Sequence, residues 1–203
     1  MTNSDSAVRT ATVRRVVTAV DDAGRSYVLS DGNAPNVFRS DSVAGFGAAQ
    51  VWTTQPGPVD NDGSADPADA GTQIPMYPDL GGTIFRVADF PPDSAYQESG
   101  KEGLFSDIGG EHAREEATAS ADRHFWFHKT DSIDFAVVLE GEIWLLLDDG
   151  ETLLRAGDVI VQRGTAHSWS NRTDRPCRMA FLLLGALPTT SPAVESASVM
   201  ESS

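Results

Sequence analysis

Apolar positions along this chain recur at a spacing of two, most densely in its C-terminal part. From Phe125 it reads "FWFHKTDSIDFAVVLEG", "EIWLLLDD", a turn at Asp149 and Gly150, "ETLLRAG", "DVIVQRG", "AHSWSNRT" and "CRMAFLLLGA". Short branched and aromatic runs broken by turn residues predict consecutive antiparallel strands that close into a barrel or sandwich. Upstream, Val13 to Asp31 reads as a hairpin turning at "DDAG". "FGAAQVWTT" gives another short strand, and "GGTIFRVADFPP" restarts strand structure. Residues 55–82 are dense in Pro, Gly and Asp and predict a long loop, either a functional lid or partly disordered. Helical patterning is confined to "GLFSDIG" and "GEHAREEATASA", a short insertion before the barrel's main run. Beyond Leu187 the Ser-rich tail is too weakly hydrophobic to order itself. The expected organisation is N-terminal strands and an acidic Pro/Gly-rich loop over 1–82, one all-β barrel over 83–186 and a disordered tail over 187–203.

In "FHKTDSIDF" the residues His128, Thr130, Ser132 and Asp134 stand at alternate positions, so an extended chain sends all four to one face. That face is polar for a strand expected to be half buried. The opposite face, Ile133, Phe135, Val137 and Leu139, is apolar and needs cover, which the N-terminal hairpin could supply from the same or a neighbouring subunit.

Charge removes several classes of partner. Thirty acidic against fifteen basic residues leave a net charge of -15, which repels nucleic-acid backbones and anionic lipid surfaces. No stretch approaches the length of a membrane span. Cys177, the only cysteine, excludes an intrachain disulfide and reads as a small residue at a strand start. The expectation is a cytoplasmic protein whose partner is a small molecule, with no nucleic acid and no membrane.

Two motifs resemble those of the cupin superfamily, in its single-domain type. In the first, His128 takes the first histidine position, Thr130 the second, Asp134 the glutamate position, and Gly141 closes the motif. In the second, "GDVIVQRGTAHSWSN", Gly157, Asp158, Gly164, His167 and Asn171 fit, with Gln162 standing where proline is usual. The resemblance implies a jelly-roll β-barrel with an N-terminal strand extension, and a homodimer. It also implies that His128, His167 and Asp134 hold a divalent metal, the two-imidazole, one-carboxylate set that suits iron, manganese, zinc or nickel. Asp134 is one methylene shorter than glutamate, so it is either a ligand, a catalytic base or an orienting partner.

Trp126, Thr130, Ser132, Trp144 and Trp169 are expected to line a substrate pocket, and Arg163 could hold a carboxylate. His112 and His124 read as ordinary polar residues, with His124 near the barrel mouth if the strand begins at Phe125. The first functional reading is an enzyme acting on a small organic, aromatic or carboxylated molecule. It would be metal-dependent (a lyase, decarboxylase, dehydratase or dioxygenase) or metal-free, with His167 and Asp134 as acid and base. The second is a non-catalytic barrel that binds a metabolite as sensor or carrier.

Overall fold

A computed structural model describes residues 10–96, 113 and 124–189. The predicted helical stretches, His112 and most of the tail lie outside the described residues; Ala113 alone among them is described, as helical. The rest is β: β1 (Arg14–Val20), β2 (Ser26–Asn33), β3 (Asn36–Arg39), β4 (Gly47–Thr54), β5 (Thr83–Phe90), β6 (Ser132–Glu140), β7 (Glu142–Leu147), β8 (Glu151–Arg155), β9 (Val159–Arg163), β10 (His167–Ser170) and β11 (Cys177–Gly185). A short 3-10 turn follows β5 at Asp93–Ala95.

Strands pair antiparallel in a six-stranded sheet of order β3-β4-β5-β11-β6-β9 and a three-stranded sheet of order β10-β7-β8, while β1 and β2 pair only with each other. The two larger sheets form a jelly-roll sandwich. Ile84, Phe90, Ala136, Val138, Ile160, Met179, Phe181 and Leu183 of the large sheet meet Ile143, Leu145, Leu154 and Trp169 of the small one in a single core. Each fully buried aliphatic or aromatic side chain contributes roughly 1.5–3 kcal/mol, so this face sets the strand registers. β3 and β4 join that same sheet, so the N-terminal extension is part of the barrel wall; β3, only four residues long, carries too short a pattern to read in advance.

The strand expected from Phe125 begins as regular structure only at Ser132. Alternation persists upstream nonetheless: His128, Thr130, Ser132 and Asp134 are all buried, and His128 makes an isolated antiparallel bridge with His167. The outward face of β6 is not covered by the hairpin of the same chain. Phe85, Leu182, Phe135 and Val161 are 36, 42, 44 and 55% exposed, and cross-strand register aligns them with Trp52 in one row across five strands.

The loop after β4 has no regular element but is fastened at several points. Asn36 Nδ2 donates to the carbonyls of Asp69 and Thr72, both at 2.8 Å, and Arg15 pairs with Asp66. Its end clamps onto β11: Gly81 N–H donates to Gly185 O and Gly185 N–H to Gly82 O, each at 3.0 Å. Gly185 is needed there, because a Cβ would stand 1.9 Å from Asp79 O. No helix among the described residues is long and apolar enough to cross a membrane.

Candidate functional site

Between the sheets lies a cavity of about 680 Å³, floored by strand residues and roofed by Gln73 to Met76 of the long loop. His128 and His167 stand side by side in it because their backbones form a reciprocal pair: His128 N–H donates to His167 O at 2.9 Å and His167 N–H to His128 O at 3.0 Å. Directly opposed residues project to the same side of a ladder, and the two ring centroids are 4.3 Å apart.

Each imidazole has its tautomer fixed by a carbonyl, which can only accept. His128 Nδ1 donates to Trp126 O at 2.7 Å and His167 Nδ1 to Thr165 O at 2.9 Å, so both Nε2 atoms carry lone pairs. Burial pushes His128 down to about 4, against the smaller upward pull of its Trp126 bond. It also lowers His167 well below the ordinary value, with the neighbouring His128 adding to the shift. At neutral pH the pair is two neutral nitrogen donors, the form in which histidine binds a metal.

Asp134 lies on the same cavity wall, 6% exposed. Burial raises its carboxyl to about 6, while the Ser132 hydroxyl and the charge of Arg86 pull it partly back. Ser132 Oγ bridges Asp134 Oδ1 at 2.6 Å and Thr130 Oγ1 at 2.9 Å, so Ser132 orients the carboxylate from behind and does not line the cavity as expected. Thr130 does line it. Among the described residues no group of three or more His, Cys, Asp and Glu side chains converges as a metal cage. The predicted triplet is therefore brought together only as a histidine pair, with Asp134 held separately by Ser132.

Trp126 and Trp169 line the cavity, each beside one histidine, with ring centroids 5.9 and 5.5 Å apart. Trp144 does not. Ile143 and Leu145 take the inward positions of β7, which turns Trp144 to the outer surface, where the Arg172 guanidinium sits 4.6 Å above its ring. Arg163 likewise projects outward and is exposed. Asn171 serves the fold, with Nδ2 donating to Phe90 O and Arg175 O at 3.0 and 2.8 Å. Gln162 is buried and ties back to Thr165. His124 fastens the approach to the site from outside the cavity: its Nδ1 lies 2.6 Å from Ser168 Oγ and its Nε2 3.5 Å from Asp93 Oδ2.

The pattern reading missed Arg86 and Gln50, register neighbours on β5 and β4 that both line the cavity. Gln50 faces inward just before a β-bulge at Gln50–Trp52. The bulge reverses the alternation and sends Trp52 outward beside Phe85, where Arg15 lies 5.9 Å over its ring. Without that extra residue Trp52 would point into the space the cavity occupies. Arg86 had a visible signal, since Ile84, Arg86, Ala88 and Phe90 alternate and a lone arginine among inward apolar residues is unusual.

The Cupin_2 family model, described as a cupin domain, matches residues 115–184. The chain is 32% identical over 185 residues to phomopsin biosynthesis cluster protein C' of Diaporthe leptostromiformis, covering 87% of this chain and 80% of that one. It is 30% identical over 179 residues to cupin-domain-containing oxidoreductase fogC of Aspergillus ruber, covering 85% and 72%. With cupin-domain-containing oxidoreductase virC of Hypocrea virens it shares 30% over 142 residues, covering 68% and 58%.

Proposed function

The chain belongs to the cupin superfamily, and on that premise we propose that it is an enzyme acting on a small organic molecule in the cavity, of the oxidoreductase kind named for two relatives. One observation carries the reading: two adjacent neutral imidazoles, each with a lone pair on Nε2, share a cavity with a carboxyl group held near 6. His128 and His167 would hold a divalent metal (iron, manganese, zinc or nickel) through Nε2, leaving its remaining positions to water and substrate. A bound metal supplies Lewis-acid polarisation and, for iron or manganese, redox capacity.

The chain's own residues do the rest. Asp134, half ionised near pH 6, takes a proton from or returns one to the substrate, and Ser132 fixes the oxygen that does so. Phe46, Phe90, Trp126, Trp169 and Phe181 present ring surface to a flat or apolar substrate part and exclude water from it. A metal-free acid–base enzyme is the second reading, favoured by the absence of a three-ligand cage among the described residues.

Metal analysis of untagged protein separates the two. About one ion per chain, lost in both His128→Ala and His167→Ala, supports the metal-dependent form. No retention after reconstitution with iron, manganese, zinc and nickel overturns it. Loss of turnover in Asp134→Asn without metal then supports the acid–base form, and no turnover under any of these conditions leaves a binding module.

We further propose a cytoplasmic homodimer. The apolar row Trp52, Phe85, Leu182, Phe135 and Val161 is contiguous, and the β1–β2 hairpin, which meets it through Arg15 over Trp52, exposes Val16, Val20, Tyr27 and Val28. A two-stranded ribbon is marginal alone, and a two-fold axis lets each hairpin cover the other copy's sheet. A monomeric wild type in sedimentation velocity would contradict this. A dimer that dissociates in a Phe85→Ser, Phe135→Ser, Leu182→Ser variant supports it.

A further inference from the structure

Arg86 reaches the cavity from β5 with an incomplete set of partners. Its Nη2 donates to Pro75 O at 2.8 Å, tying the guanidinium to the roof loop. Its Nε is buried and has no hydrogen-bond acceptor. Among the described residues lining the cavity it is the sole cation, and none of their carboxylates lies within the 4.0 Å of an ion pair; Asp134 acts on it only as a more distant charge. Next to it, Gln50 holds its Oε1 buried and equally unpartnered. A guanidinium N–H buried without an acceptor is costly, and so is a buried acceptor without a donor. Both residues line one cavity.

We infer that Arg86 and Gln50 form the recognition pole of the substrate, and that the substrate is a small organic carboxylate with a hydroxyl or amino group beside the acid. The carboxylate pairs with the guanidinium and the neighbouring O–H or N–H donates to Gln50 Oε1. The rest of the molecule extends over Trp126 and Trp169 toward the histidine pair. A single guanidinium with Asp134 nearby matches a singly charged acid better than a phosphate ester of nearly two charges. The net charge of -15 gives anions no general attraction to this chain, so acid recognition has to be local. Because Arg86 also holds Pro75, an acid docked there couples substrate to roof.

This inference rests on the cavity being the substrate site, and its test needs no turnover. The full-length protein, as purified and again after chelator treatment, is titrated with mandelate, phenylacetate, phenylacetamide and benzylphosphonate, with Trp126 and Trp169 reporting occupancy by fluorescence. Phenylacetate is expected to bind at least roughly ten-fold tighter than its neutral amide, and mandelate tighter still. Arg86→Met should abolish the acid-over-amide preference while leaving amide binding in place. Arg86→Lys should restore part of it. Gln50→Leu should erase only the mandelate-over-phenylacetate difference.

Equal binding of acid and amide, or an unaltered preference in a folded Arg86→Met, overturns the proposal. Tighter benzylphosphonate than phenylacetate overturns the carboxylate class. If Arg86→Met does not fold, Arg86→Lys with a full acid preference and unshifted affinity overturns it equally. A protein that binds acids through Arg86 but holds no metal would fail the metal reading and keep this pole. One that holds metal through its histidines and ignores acids would do the reverse.

Discussion

Asp134→Asn should make the protein more stable. The carboxyl is held at about 6 in the fold against an ordinary 3.8, so at pH 7 its ionisation costs more in the barrel than in the unfolded chain. A shift of about two units at 1.36 kcal/mol each comes to about 3 kcal/mol. Asparagine is nearly isosteric with the protonated acid and can still accept from Ser132. For a chain of this size that gain corresponds to a rise of about 6–12 °C in Tm. The sign fixes the pH window. A folded value above the unfolded one means that the fold binds its proton more tightly, so the wild type gains stability as pH falls through 6 toward 3.8. The advantage of Asp134→Asn should therefore be full at pH 7, about 1 kcal/mol at pH 4.5 and absent below 3.8. Urea and thermal unfolding of both proteins at pH 7 and 4.5, after chelator treatment, measure it. A variant less stable than wild type at pH 7, or a difference independent of pH, would refute the burial argument. The charge would then be fully compensated in the fold.

Other outcomes follow from the same geometry. His128 carries the opposite linkage: its folded value of about 4 lies below the ordinary 6.5, so the stability from burying it neutral is complete above 6.5. This contributes about 3 kcal/mol to the stability lost as pH falls to 4, beside a loss of the same sign from His167, read by urea midpoints in an Asp134→Asn background, and His128→Asn should make that slope shallower. Gly185→Ala places a Cβ on Asp79 O. It should cost about 1–3 kcal/mol by thermal melts and weaken the binding of the aromatic probes by displacing the roof. Trp144→Ala should cost about 1–2 kcal/mol, from the lost Arg172 contact and the half-buried ring, and leave mandelate affinity unchanged. Trp126→Ala should weaken that affinity.

Much of this architecture was legible because period-two patterning is a direct consequence of the pleat. Strands from Ser132 to Gly185 and the N-terminal hairpin fall where the apolar runs lie. His128 and His167 were legible because their motif positions imply adjacent strands, and the backbone pair between them is that adjacency. Trp144 was misjudged because residue type was weighed before parity; Ile143 and Leu145 already claim the inward positions. Gln50 could not be placed, since its direction relative to Trp52 depends on a bulge that alternation alone conceals. Asp134 was recognised as a polar residue of the site, but the hydroxyl that holds it, Ser132, and the distant charge that acts on it, Arg86, do not show in the alternation.

The staples on the loop between β4 and β5 divide labour within the chain. Asp66, Asp69, Thr72, Pro75 and the turn at Gly81–Gly82 are each tied to the barrel or to the strands beside it, whereas Pro56 to Gly63 is exposed. The polar side chains Gln50, Arg86, Asp134 and His167 of the cavity wall stand on strands, whereas Gln73 to Met76 close it from the loop. Such an arrangement can be re-tailored one stretch at a time. A new roof segment that still offers Arg86 a carbonyl where Pro75 O stands would change which molecule fits while leaving the strand ladders of the walls intact.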